Sequence, residues 1–300
     1  MANFADRLAS AIQDKGNGVL VGLDPRVANL PGPCQPASDS LADIASAYTE
    51  FCKGVIDVVA DLVPATKPQA AFFEQLGPPG MLALQSVVSY ARQRGLLVIL
   101  DGKRNDIGST AEAYAAAYLG ADSPFGADVL TVSPYLGDDS LTPFVNRATN
   151  HDAGIFVLVK TSNPGGKRFQ DLTAEESKIY EHVADHVESL AVETVGTCGY
   201  GSVGAVVGAT YPDELSQLRK RMPHSMLLIP GFGSQGGTAS DVAAGFDANG
   251  LGALVNSSRA IIFANQRDEY KEIGKSDWQK AVEQATRDMI SQLRAVVAVS

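Results

Sequence analysis

Cysteine is scarce in this 300-residue chain: Cys34, Cys52 and Cys198 are odd in number, far apart and without a C-x-x-C pair. That excludes a disulfide framework and a thiolate metal site, and it predicts a reducing, cytoplasmic setting. Basic residues are the second shortage. There are 24 Lys and Arg against 34 Asp and Glu, a formal net charge of -10, and the basic ones are scattered. A nucleic-acid backbone is therefore not the expected partner, and an anionic small molecule needs a local positive site. No apolar run approaches about 18 residues, so no membrane span is expected. The first residues read as an amphipathic helix over about 3–15 with charges throughout, which is not the pattern of an export signal. No serine stands in G-x-S-x-G and Cys198 has no nucleophile signature around it, so nucleophilic catalysis has little support.

What is present is apolar and periodic. Hydrophobic residues make up 45% of the chain, and 29 glycines with 15 prolines suggest many short connections around a large core. Strand-like runs recur at 19–23, 62–66, 96–100, 128–132, 155–159, 203–207, 226–229 and 251–255. Between or after them, 41–59, 80–94, 110–119, 174–195, 212–221 and 276–297 have helical spacing or composition, and a helix after the fourth strand is the most weakly marked. Strict alternation implies a parallel sheet with right-handed crossovers, and eight units in this length suit a (β/α)8 TIM barrel better than a doubly wound sheet. The Pro-rich stretch 30–36 is short enough to be a loop, so one α/β domain over 1–300 is expected.

The third run passes straight into charge: Leu96-Leu97-Val98-Ile99-Leu100 is followed by Asp101-Gly102-Lys103-Arg104-Asn105-Asp106. Five consecutive aliphatics read as a strand covered on both faces, so the polar cluster falls where the strand leaves the core. On an extended backbone Asp101 and Lys103 point the same way, with Gly102 allowing a bend or a close approach. The first strand ends in Gly22-Leu23-Asp24-Pro25 and the second in Ala65-Thr66-Lys67-Pro68. Any one of these charges reads equally well as a solvated loop residue. Together they place acid and base alternately at the C-terminal strand ends, the catalytic face of such barrels, where mutual attraction keeps the lysines protonated and the aspartates ionised.

Pro230-Gly231-Phe232-Gly233-Ser234-Gln235-Gly236-Gly237 follows the seventh strand and Asn256-Ser257-Ser258-Arg259 the eighth. This is the recurrent phosphate position of these barrels, with exposed backbone N–H groups and an arginine suited to bidentate contact. The stretch also matches G-x-G-x-x-G, but in the seventh unit rather than the first, and Asp247 lies 16 residues beyond Gly231 in a stretch read as helical. A plain flexible loop is the other reading. His182 and His186 have i, i+4 spacing without the H-E-x-x-H glutamate, and they fall mid-helix, far from the strand ends, which favours a surface face over a metal site. Thr161-Ser162-Asn163-Pro164-Gly165-Gly166 after the fifth strand either reads the edge of a polar heterocycle or is a simple turn.

With these residues in view, the chain closely resembles the orotidine 5'-phosphate decarboxylases, in particular the longer bacterial type 2 subgroup. The signature D-x-K-x-x-D-I-x-x-T stands as Asp101-Gly102-Lys103-Arg104-Asn105-Asp106-Ile107-Gly108-Ser109-Thr110, and Lys67-Pro68-Gln69-Ala70-Ala71-Phe72-Phe73-Glu74 is similar to that subgroup as well. The resemblance implies a homodimer that converts orotidine 5'-phosphate to uridine 5'-phosphate and CO2, the last step of de novo UMP synthesis, with no metal or organic cofactor. It further implies that Lys103 protonates C6 of the pyrimidine, that Asp101 lies beside the substrate carboxylate, and that Lys67 and Asp24 hold ribose hydroxyls. Asp106 and Thr110 would reach the partner's site, Ser162 would read the pyrimidine edge, and Gln235 with Gly236 and Arg259 would grip the phosphate. The glycine loop 231–237 is the expected lid. A metal-dependent sugar-phosphate aldolase or decarboxylase on the same barrel, and a non-catalytic nucleotide sensor, are the competing readings.

Overall fold

The computed structural model describes residues 3–209, 212–232 and 238–299. Eight parallel strands close into a barrel: β1 (Val19–Leu23), β2 (Ala65–Pro68), β3 (Leu97–Arg104), β4 (Val129–Val132), β5 (Gly154–Lys160), β6 (Val203–Val207), β7 (Leu227–Pro230) and β8 (Ala253–Ser257). Successive strands pair with one another, and β8 returns to β1 through Val19↔Val255, Leu20↔Asn256 and Val21↔Ser257. Parallel neighbours need a crossover, and helices such as Leu41–Val59, Gly77–Gln93, Gly108–Tyr118 and Pro212–Arg221 supply it. The weakly marked helix after β4 is present as Thr142–Asn150. Among the described residues no helix is long and apolar enough to cross a membrane.

Two boundaries differ from the sequence reading. Pairing of β2 begins only at Ala65, because Leu62 and Val63 belong to the turn leading into it; Val63 is buried there without joining the ladder. The helical composition of 174–195 hides a hairpin: Thr173–Ala174 pairs antiparallel with Ser177–Lys178 around Glu175 at φ 56°, and the helix opens at Ile179.

Period-two alternation sorts each strand into two cores. Leu20, Ala65, Ile99, Val129, Phe156, Leu228 and Leu254 fill the barrel interior. Val21, Val98, Leu100, Leu130, Val157 and Val255 face outward onto the helices. The N-terminal helix Phe4–Lys15, capped by the Asn3 side chain and stopped by Gly16 at φ 64°, does not belong to the outer ring. Its face of Phe4, Leu8 and Ile12, spaced by four, joins the interior cluster at the N-terminal end of the strands. Each of these side chains contributes about 1.5–3 kcal/mol of burial. Arg7 on its flank fixes the plug, donating to Asp128 Oδ1 at 2.8 Å and to the Asp152 carbonyl at 2.7 Å.

Following the inward positions toward the other mouth gives the site. The inward residue after Ala65 is Lys67, after Ile99 Asp101, after Val129 Thr131 and after Leu254 Asn256; all four are buried. On β1 the inward position is Gly22, where a Cβ would overlap the Ser258 hydroxyl, so the missing side chain admits the turn that follows β8.

Candidate active site

Asp101 is the hub of the C-terminal mouth. Its Oδ2 accepts from Lys67 Nζ at 2.7 Å and from Gln69 Nε2 at 3.0 Å. Its Oδ1 accepts from Lys103 Nζ at 2.5 Å and from the Thr131 hydroxyl at 3.0 Å. Four donors fill the roughly four lone-pair sites of a carboxylate, so Asp101 is committed as an acceptor. Burial alone would raise its carboxyl, but the Lys67 and Lys103 ammoniums hold it well below the usual carboxylate range. Burial would lower the Lys67 ammonium, yet Asp101 and Asp24 keep it above its ordinary value. The charge states expected for this pair from the sequence are those its surroundings favour.

The backbone that delivers Lys103 is not the extended pleat expected of it. Leu100 pairs with Leu130 and Arg104 with Val132, so β3 places Asp101, Gly102 and Lys103 where β4 places Thr131 alone. Lys103 takes φ 45°, in the left-handed region that is costly for a side chain with a Cβ. Its N–H, diverted from the ladder, donates to Thr131 Oγ1 at 2.9 Å.

Asp24, Lys67, Gln69, Asp101, Asn256 and Arg259 line one open cavity of about 480 Å³, with Arg26 and Phe72 at its wall. Arg26 stacks its guanidinium 4.9 Å from the Phe72 ring centre. Asp24 Oδ1 and Asn256 Oδ1 are buried acceptors without a hydrogen-bond partner among the described residues. Arg259 is exposed and opens the short helix Arg259–Ile262. The cavity thus combines a paired anion and cation at its floor with unmet acceptors and two arginines at its rim, a setting suited to a polar, anionic molecule.

Other sequence candidates fall elsewhere. Asp106 accepts from the Ile107 N–H at 2.9 Å, Thr110 is exposed on the helix Gly108–Tyr118, and neither lines this cavity. Ser162 also lies outside its lining, and the flanking Thr161 and Asn163 side chains are bonded to each other at 2.7 Å. Gln235 and Gly236, with most of the expected lid, lie outside the described residues. Asp247 is not helical: it sits in the turn before β8, at the opposite mouth, accepting from Tyr200 Oη at 2.8 Å and from the Asn249 and Leu251 N–H groups, which removes the acidic partner a dinucleotide site needs. His182 bonds the Ala174 carbonyl at 3.0 Å, and no group of three or more metal-binding side chains occurs among the described residues. Burial pushes the Cys198 thiol up to about 11, far from a reactive thiolate.

Sequence reasoning passed over Thr131, and it quoted Gln69 and Asn256 only within longer stretches without giving either a role of its own. The signal available was parity, since Gln69 and Lys67 are two apart and Thr131 and Asn256 each follow an inward aliphatic by two. It also passed over Lys160, buried at the end of β5 against Asp171, Glu214 at 3.7 Å and the Tyr180 ring at 4.5 Å.

Fold and site together define a class: a (β/α)8 barrel enzyme that carries a lysine–aspartate–lysine array at its strand ends. Residues 19–273 match the Orotidine 5'-phosphate decarboxylase / HUMPS family, and the chain belongs to that family. It is 58% identical over 301 residues to the orotidine 5'-phosphate decarboxylase of Rhodopirellula baltica, spanning 98% of this chain and 100% of the relative. Against that of Caldicellulosiruptor saccharolyticus it is 38% identical over 310 residues, spanning 99% and 100%. The structure of Leishmania donovani OMP decarboxylase superposes with a TM-score of 0.77 at 33% identity, covering 98% of each chain.

Proposed function

We propose that this chain, acting as one domain in the cytoplasm, removes CO2 from orotidine 5'-phosphate to give uridine 5'-phosphate with no metal or organic cofactor. The observation that carries this is the buried anion Asp101 held between two lysines, Lys67 buried in the cavity lining and Lys103 half-exposed on the other carboxylate oxygen. The bond from C6 to the carboxylate carbon breaks, CO2 leaves, and the electron pair stays at C6. Lys103 stabilises that charge and then transfers a proton from Nζ to C6, becoming neutral until solvent restores the proton. Asp101 contributes a fixed negative charge beside the departing carboxylate. Lys67 and Asp24 hold ribose hydroxyls, and Arg259, with Gln235 and Gly236, grips the phosphate, so that binding energy remote from C6 is expressed at the reacting carbon. Ser162 reads the pyrimidine edge.

The active unit is a homodimer in which Asp106 and Thr110 serve the partner's site. Support comes from the segment that carries them: it presents Ile107 at 55% exposure and Tyr114 at 37%, apolar surface suited to a second copy. Full turnover by a species that sediments as a monomer would sink the shared site.

The test is loss of the orotate chromophore on mixing with orotidine 5'-phosphate, with and without exhaustive chelation. Turnover that survives chelation is expected, and Lys103→Ala should reduce it at least about 10³-fold while uridine 5'-phosphate still binds. Metal-dependent turnover of a ketose phosphate with none of the nucleotide overturns the reading.

A further inference from the structure

We infer that Thr131 is a positioning residue of this reaction: its hydroxyl replaces the backbone ladder across the β3 bulge and so holds Lys103 and Asp101 in working register. The inference rests on the role proposed for Lys103. Thr131 is the one residue of β4 that faces the three of β3 between Leu100↔Leu130 and Arg104↔Val132. It is 1% exposed and has a single hydroxyl proton. A backbone N–H can only donate, so the bond from Lys103 N at 2.9 Å uses the oxygen as acceptor and leaves the proton for Asp101 Oδ1 at 3.0 Å. One atom therefore ties together the strained backbone of the lysine and the carboxylate that holds the lysine's other end.

The consequence is specific to the chemical step. When Lys103 Nζ leaves Asp101 for C6, Asp101 keeps three donors, from Lys67, Gln69 and Thr131, and stays in place. Meanwhile the φ 45° conformation of Lys103 keeps the anchor that offsets its strain. Without the hydroxyl, Lys103 N–H is a donor with no ladder partner and the bulge is free to relax. A shift of about 1 Å at the proton donor is worth roughly 10²-fold in rate. Thr131 is 1% exposed and its hydroxyl is taken up by Lys103 N and Asp101 Oδ1, so it acts on the nucleotide only through them and ground-state binding should be little affected.

Thr131→Val keeps the shape of the side chain and removes only the hydroxyl function. It should lower kcat about tenfold to hundredfold, with KM and the Kd for uridine 5'-phosphate within about twofold of the parent. Thr131→Ser, which restores the hydroxyl, should recover most of kcat. Thermal melting and uridine 5'-phosphate binding report whether the valine variant is folded; if it is not, Thr131→Ala takes its place in the same comparison. A kcat near the parent's without the hydroxyl, a loss expressed in KM, or a loss that serine fails to recover would each overturn the inference. Lys103→Ala in the same assay separates the two levels. Turnover retained there removes the role of Lys103 itself, whereas an inactive Lys103→Ala beside a fully active Thr131→Val removes only that of Thr131.

Discussion

Two barrel strands carry a register shift near a lysine, and the shifts send the lysines to opposite places. On β3 the steps from Leu100 to Arg104 match Leu130 to Val132, a slip of two residues. On β5 the steps from Leu158 to Lys160 match Val206 to Val207, a slip of one. Side chains alternate with period two, so an even slip preserves which face a residue occupies and an odd slip reverses it. Asp101 accordingly stays inward with Lys103 bonded to it, while Arg104 emerges outward to Glu74 and the Tyr118 hydroxyl. Lys160, two beyond the inward Leu158, is instead turned out to Asp171, Tyr180 and Glu214, all beyond the barrel wall. A lysine at a barrel strand's end is therefore not a site residue by position alone. The parity of the slip decides.

Deleting Gly102 should break this contrast most severely, because it converts the even slip into an odd one. Turnover is expected to fall by at least about 10³-fold in a protein that still melts cooperatively; a deletion variant with near-parental kcat would end the parity account. Lys160→Met tests the other strand. It removes the cation that pairs with Asp171 and leaves Glu214 only Lys178, at 4.0 Å, and should cost about 3 kcal/mol in denaturant unfolding, while kcat of the folded protein stays close to the parent's. The smallest effect concerns pH. The folded-state carboxyl of Asp101 is depressed and the Lys67 ammonium is raised. The stabilisation from Asp101 is thus present above its unfolded value of about 3.9 and is lost as pH falls toward the lower folded value, while that from Lys67 is present below about 10.4 and is lost as pH rises through its folded value. The Tm difference between the parent and Asp101→Asn should be constant from about pH 5 to 9 and narrow below about pH 4. A difference that already changes between pH 5 and 7 would show that Asp101 is not held ionised by the two lysines.

The barrel was legible in the sequence because its signals are local: aliphatic runs at regular spacing, and charge where the runs stop. The hub was legible for the same reason, since Asp24, Lys67 and Asp101 each come directly after a strand-like run in the sequence. Thr131 was not, because Val-Leu-Thr-Val reads as ordinary β-branched strand, and the hydroxyl gains its role only from a slip against a residue about thirty positions away. The extended backbone expected at Lys103 failed for the same cause. Lys160 went unmarked because its partners, Asp171 and Glu214, come from a loop and a later helix. The hairpin around Glu175 was hidden by helix-forming composition, where pairing between two short segments overrides propensity.

The plug of Phe4, Leu8 and Ile12 makes the barrel blind at one end. Under the proposed reaction, traffic through the site is consequently two-way over a single threshold: the nucleotide enters by the mouth that Arg26 and Arg259 flank, and carbon dioxide departs past the nucleotide that released it.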